Sequence, residues 1–401
     1  MRPLAGIRVL DLSRVLAGPW ATQVMADLGA EVIKVEQPGQ GDDTRHWGPP
    51  WHENRNEKVA AYYLAANRGK RSVAVDFSAP EGAALVRKMA GDADVLVENF
   101  RVGGLKKFGL DAESLRAANP RLIYASITGF GQDGPYAARA GYDYIIQGMG
   151  GLMSLTGLPD GEPGGGPMRV GVAVADLFTG MYTANAVLAA LVRRQSTGEG
   201  ATIDMALFDT QLAMLANQAS NAIVSGKDPG RQGAGHPNIV PYQPFDAADQ
   251  PIIIAVGNDR QFAKLATILG RGQWAGEPGY ATNAARVANR ELLVPMIAEI
   301  IAARPAADWL EQFEAAGIPA GPINSVTQAL GDPQSVHRGA RIRAGGGALG
   351  TVEMVGSPIR IDGARQDADL PPPGLGEHRD CLREWVSDEE LARLREAGVV
   401  G

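Results

Sequence analysis

One cysteine in 401 residues, Cys381, leaves nothing to form an intrachain disulfide, which excludes a small secreted scaffold held by cross-links. Histidine is scarce too: the five, at 46, 52, 236, 337 and 378, make no H-x-x-x-H pair and no cysteine-assisted ligand set, so no metal site is expected. Positive charge is in deficit, with 38 Lys and Arg against 45 Asp and Glu, a net charge of −7 and a pI near 5.4. Nucleic acid is therefore not an expected partner, since phosphate-backbone binding needs a basic face. No serine sits in a G-x-S-x-G elbow, which argues against a serine hydrolase. The first turn, Leu16-Ala17-Gly18-Pro19-Trp20, lacks the G-x-G-x-x-G of a dinucleotide site, although Glu36 closes the next strand as a ribose-binding acid would. An NAD(P)-binding oxidoreductase is thus only a remote alternative. The start, MRPLAGIRVLDLSRVLAG, has no basic segment followed by a long apolar one, so the expected location is the cytoplasm. The run from Val170 to Val192 is long enough to span a bilayer, but Asp176, Thr179, Thr183 and Asn185 interrupt it, and no membrane partner is expected.

What is present reads as a large enzyme-like chain, with 45% hydrophobic residues, 21% charged residues and 51 glycines. Ile7–Asp11 reads as a strand, Pro19–Leu28 as a helix stopped by Gly29, and Glu31–Val35 as the next strand. Further strands are expected at Ser72–Asp76, Asp94–Val97 and Leu122–Ile127, with helices at Pro80–Ala90 and Ala112–Ala118 between them. Alternation of this kind predicts an α/β, doubly wound, Rossmann-like large domain. From Gly226 onward the texture becomes turn-rich, with a hairpin of Tyr242–Ala247 and Ile252–Val256 and helices at Phe262–Leu269 and Ala306–Ala316, which predicts a smaller α+β domain. The expected division is residues 1–225 for the large domain, 226–324 for the small one, and 325–401 for a linker and a return to the large domain. Within that last part Val352–Ile361 reads as strand, and Ser387-Asp388-Glu389-Glu390 as a capping box.

Asp176 is the single charge between Val170 and Val192, and it follows the glycine-rich stretch Gly161–Gly166. A lone carboxylate there has two readings. It can cap the helix Leu177–Arg193 by accepting backbone N–H bonds, or it can be a nucleophile. The two are compatible, since a carboxylate at a helix N-terminus is oriented and favoured in its ionised form.

The opening Leu4-Ala5-Gly6-Ile7-Arg8-Val9-Leu10-Asp11-Leu12-Ser13-Arg14-Val15-Leu16-Ala17-Gly18-Pro19 resembles the start of the class III CoA-transferases, the family of formyl-CoA transferase, carnitine CoA-transferase and α-methylacyl-CoA racemase. Leu28–Glu36, Gly41-Asp42, Asn67–Ser72, Asp94–Phe100 and Gly198-Glu199-Gly200 match the same pattern in the same order. That resemblance implies an interlocked homodimer, each chain an open ring threading the other. It implies an acyl-CoA and a small carboxylic acid as substrates, with coenzyme A thioester consumed as substrate and no permanently bound cofactor, and Gly141–Gly157 and Val256–Leu265 resemble the dicarboxylate CoA-transferases of the family. It also implies that Asp176 attacks the thioester carbonyl, forming an aspartyl anhydride and then an aspartyl-CoA thioester.

By the same resemblance, Val15, Lys70, Arg71, Asn99, Phe100, Lys107 and Phe108 are the expected CoA-binding residues, and Arg14, Arg45 and His46 could meet the acceptor's distal carboxylate. Read on its own, Arg68-Gly69-Lys70-Arg71 is a solvated loop before a strand. Leu16 and Gln37 depart from formyl-CoA transferase, which has glutamine and arginine there. The racemases carry a histidine base where this chain has Tyr142, a second expected site residue; with an unperturbed pKa of about 10, tyrosine is poorly suited to take a proton from an α-carbon at neutral pH. A CoA-transferase, with succinyl-CoA as a possible donor, is the expected function, and a racemase-like isomerase is the alternative.

Overall fold

The computed structural model describes residues 2–55 and 57–401, and it divides into two compact units. The first comprises Met1–Leu152, Val170–Ile223 and Pro333–Gly401, and the second Met153–Arg169 and Val224–Asp332.

Six strands form the central sheet of the first unit: β1 (Arg8–Asp11), β2 (Glu31–Glu36), β3 (Lys70–Ala74), β4 (Val95–Glu98), β5 (Ile123–Thr128) and β6 (Ala201–Ala206). All are parallel, in the order β3-β2-β1-β4-β5-β6, which is the doubly wound arrangement with its reversal between β1 and β4. Side chains alternate along each strand, and the alternation feeds two cores. Val9, Val32, Val95, Val97, Ile123 and Ala125 face one layer, where they meet α1 (Ala17–Asp27), α5 (Val174–Thr197) and the start of α6 (Leu207–Met214). Leu10, Ile33, Leu96 and Tyr124 face the other, under α2 (Pro80–Gly91), α3 (Ala112–Ala118) and the C-terminal α10 (Asp388–Glu396). Helix α5 is long and apolar enough to cross a membrane, but its buried Ala175, Thr179, Ala184, Val187 and Leu191 mark a core helix of this layer.

The second unit carries a three-stranded antiparallel sheet of β7 (Tyr242–Asp246), β8 (Pro251–Ala255) and β9 (Ala320–Pro322), in the order β9-β8-β7. Ile252 and Ile254 are fully buried while Ile253 between them is 39% exposed, the mark of a sheet covered on one face. Helices α7 (Asp259–Ile268), α8 (Arg290–Ala302) and α9 (Ala306–Ala316) complete its core.

Two boundaries differ from expectation. The glycine-rich stretch packs with the small unit, because Arg231 donates to the Leu158 carbonyl at 3.1 Å and pairs with Asp160. The chain also stays in the small unit to Asp332 rather than leaving it at 324. In the return segment, Arg341–Gly347 and Gly350–Val355 form an antiparallel pair of their own.

Candidate active site

Strand order places a crevice at the carboxyl ends of the strands beside the reversal, and the loops after β1, β4 and β5 form one there. They enclose a cleft of about 540 Å³, lined by Arg14, Val15 and Leu16 from the first loop, Asn99 to Val102 from the second, and Gly129 from the third together with Ile127 and Thr128 at the end of β5. Lys107 and Phe108 extend the wall on one side, Arg139 to Tyr142 on another, and Asp176 stands at the start of α5. Gly129 and Gly141 let the last two walls touch: a Cβ on Gly129 would lie 2.5 Å from the Gly141 Cα, so no larger residue fits either position without moving backbone.

The structure therefore brings eight of the expected residues to one cleft: Asp176, Tyr142, Val15, Asn99, Phe100, Lys107, Phe108 and Arg14. Tyr142 is 64% exposed and sits at the N-cap position of α4 (Asp143–Met149). Arg14 lies 5.3 Å over the Phe100 ring and 3.2 Å from Asp43. Lys107 lies 4.7 Å over Phe108, and Arg101 and Arg139, which the sequence reading passed over, add two further cations to the wall. Arg139 is stacked 4.5 Å over Tyr136.

Four expected residues are elsewhere, for physical reasons. The Lys70 ammonium is fully buried, donating to Asp11 at 3.0 Å, to the Pro19 carbonyl at 3.0 Å and to Asn67 at 2.9 Å, so all three of its protons are taken. Burial pushes it down to about 8 against the pull of Asp11. It has no donor left for a phosphate. Arg71 pairs with Glu31 and Arg68 with Asp27, so this stretch is neither a phosphate cradle nor a solvated loop. Arg45 is buried with both arms on Glu36, at 2.9 and 2.7 Å, and on the Tyr63 hydroxyl at 2.6 Å. Removing one partner of such a pair costs about 3–5 kcal/mol, so Arg45 serves the fold and is not an acceptor ligand. His46 is exposed, with Nε2 donating to the Gln40 carbonyl at 2.9 Å, and does not line the cleft.

Asp176 itself is not the cap. Helix α5 begins at Val174, and the capping carboxylate belongs to Asp143, which accepts the N–H of Ala175 at 2.8 Å and, more weakly, that of Asp176 at 3.4 Å. The Asp176 side chain is left partly open to the cleft, and protein crowds it from behind. Burial first, and the nearby Asp143 carboxylate second, push it up to about 7, the reverse of the helix-terminus expectation. A carboxyl poised near neutrality at the wall of a cation-lined cleft is suited to attack an electrophilic carbonyl. Tyr62 also faces this pair, and burial followed by the charges of Asp176 and Asp143 raises its hydroxyl above the usual tyrosine range. Asp143 and Tyr62 carry no sequence signal of their own; only the fold sets them beside Asp176. Among the described residues, no group of three or more His, Cys, Asp or Glu is placed to hold a metal ion.

Comparison with known proteins bears on the chain as a whole. The model of CoA-transferase family III matches residues 4–379. The chain is 52% identical to a succinate–glutarate CoA-transferase of Agrobacterium fabrum, covering 97% of each, and 42% identical to a succinyl-CoA:glutarate CoA-transferase of Mus musculus, covering all of this chain and 91% of that one. In structure it is similar to a CAIB/BAIF family protein from Brucella suis, with a TM-score of 0.85, 51% identity, and coverage of 97% of this chain and 99% of that one. A match across almost the whole length, joined to relatives of this identity, means that the chain belongs to CoA-transferase family III and is an enzyme that moves CoA between carboxylic acids.

Proposed function

We propose that this enzyme transfers CoA from succinyl-CoA to a dicarboxylic acid of glutarate size, with Asp176 as the carrier. The supporting observation is Asp176, a carboxyl near neutrality on the wall of a cleft whose cations include Arg14, Arg101, Lys107 and Arg139. An Asp176 oxygen attacks the thioester carbonyl carbon, the C–S bond breaks, and CoA thiolate leaves a mixed anhydride behind. The thiolate then attacks the Asp176 carbonyl, releasing the donor acid as its carboxylate and leaving an aspartyl-CoA thioester. Attack by the acceptor carboxylate repeats the two exchanges in reverse and restores Asp176. Lys107 and Arg101 suit the CoA phosphates, as point charge and as planar fork, in place of the buried Lys70 and of Arg71, which pairs with Glu31 outside the cleft lining. Arg14 and Arg139 suit carboxylates. The two relatives named for glutarate favour that acceptor. An acceptor panel with succinyl-CoA should rank glutarate well above the monocarboxylate butyrate, by about tenfold or more in kcat/KM for one added ionic contact. Equal rates with both acids would reject a dicarboxylate site.

The racemase alternative loses ground because Tyr142 stands at the position where the racemases use histidine, and because the relatives named above are CoA-transferases. A cytoplasmic setting accords with the single cysteine.

An interlocked homodimer is part of the same reading. Phe178, with Met181 and Tyr182 three and four residues after it, stands on the exposed face of α5, the three being 44%, 40% and 44% exposed. A second copy of the chain would cover them. Threaded rings cannot part as rigid bodies, so two differently tagged preparations mixed at nanomolar concentration should exchange no subunits over hours, and should exchange after denaturation and refolding. A monomer by light scattering, or exchange without unfolding, would remove the interlock.

A further inference from the structure

The lip of the cleft is the turn Ser13-Arg14-Val15, and side chains hold it at every residue. Ser13 donates its N–H to Asp11 at 2.9 Å, and its carbonyl accepts from Lys34 Nζ at 2.8 Å. Asn99 closes on Arg14 from both sides, its Oδ1 accepting the N–H at 2.9 Å and its Nδ2 donating to the carbonyl at 2.7 Å. The Val15 N–H reaches the Asp42 carboxylate at 3.2 Å. Val15 has a φ of +71°, in the left-handed region that a β-branched residue rarely enters unless its surroundings impose it.

Lys34 and Asp42 hold the turn from behind. Both side chains are fully buried, 2.9 Å apart, and neither is among the residues lining the large cleft. One proton of the Lys34 ammonium holds the Ser13 carbonyl and another holds Asp42, which in turn holds Val15. Thr44 fixes the same carboxylate through its N–H at 3.0 Å and its hydroxyl at 2.7 Å. A buried ion pair is an expensive way to fill a core, since apolar residues of similar volume are often as stable. What apolar residues could not do is grip a carbonyl and an amide on either side of a strained turn.

We propose that Lys34 and Asp42 are positioning residues for CoA recognition, holding Val15 in its left-handed backbone so that the cleft lip is preformed before the ligand arrives. This rests on the CoA cleft assigned above. Neither residue touches the ligand. Their contribution is to remove the ordering cost that a relaxed lip would add to each binding event.

The test measures the dissociation constant of free CoA by calorimetry for wild type, Asp42→Asn, Val15→Gly and the double variant. In Asp42→Asn one of the two oxygens that the Val15 N–H reaches becomes an amide donor, which must face either the Lys34 ammonium or the Thr44 N–H, so the grip on Val15 weakens; CoA should bind about tenfold more weakly or worse. Glycine adopts φ +71° without a side-chain penalty, so adding Val15→Gly should recover about threefold or more of that loss. Should Asp42→Asn not fold, Lys34→Met/Asp42→Asn removes both charges together and carries the same expectation and the same rescue. A folded variant with wild-type affinity overturns the proposal. So do losses from the two single variants that simply multiply, and so does failure of both Asp42 variants to fold, which would mark a pair needed by the whole domain. Wild type that binds no CoA would instead overturn the cleft assignment, and this proposal with it.

Discussion

Asp176→Asn is expected to lower CoA transfer by on the order of 10⁴-fold or more while leaving CoA affinity within about threefold, because the amide keeps the shape of the side chain and loses the nucleophilic oxygen. The surrounding geometry favours a clean result. Helix α5 is capped by Asp143, through Ala175 and the Asp176 backbone N–H, so the substituted side chain carries no part of the cap. The cations of the cleft wall are likewise untouched, and ground-state binding should survive. Wild type incubated with succinyl-CoA and hydroxylamine should yield a hydroxamate on the peptide containing Asp176, since anhydride and thioester are both trapped by that amine. The Asn variant should yield none. Wild-type turnover in a variant shown by mass spectrometry to be free of deamidation would end the assignment of Asp176 as carrier.

Legibility in the sequence followed the apolar pattern. Strands β1, β2, β4 and β5 lie within two residues of their expected places, because a strand buried on both faces is a short apolar run between turn residues. Edge strand β6 went unseen: Thr202 and Asp204 in its middle are exposed, and ATIDMA shows no such run. The site divides in the same way. Residues of the loops after β1 and β4 were legible because loop motifs keep their order along the chain, and Asp176 because a lone charge in an apolar run stands out. Lys70 was misread because its partner, Asp11, is 59 residues away, a separation that no local spacing reveals. Strand β3 turns Lys70 and Ser72 inward, where each meets a buried acid, whereas Arg71 between them pairs with the half-buried Glu31 on the other face. Charge counted along the sequence cannot show which face of the strand it will occupy. The same limit hid Asp143, which lies 33 residues from the Asp176 N–H that it accepts.

The acid limb of kcat/KM should fall near pH 7 and drop about tenfold for each unit below it, since attack needs the ionised form and this ratio reports the free enzyme. Asp143→Asn removes the second of the two causes that raise Asp176, and its Oδ1 can still accept from Ala175; the limb should then move to lower pH, although not back to the ordinary carboxyl value of 3.8, because burial remains. Stability must change in the opposite sense. A carboxyl whose pKa is raised on folding binds its proton more tightly in the folded chain between pH 3.8 and about 7, so rising pH through that window destabilises the fold. Asp176→Asn should accordingly melt at a higher temperature than wild type at pH 8, where wild type holds an ionised carboxylate beside Asp143, and the difference should shrink toward pH 4. Functional sites commonly carry such a cost, and here it has a definite pH signature. An acid limb below pH 5 in wild type, or a melting advantage of the Asn variant that does not grow between pH 4 and pH 8, would show that the cleft leaves Asp176 as an ordinary ionised carboxylate and that its reactivity has another source.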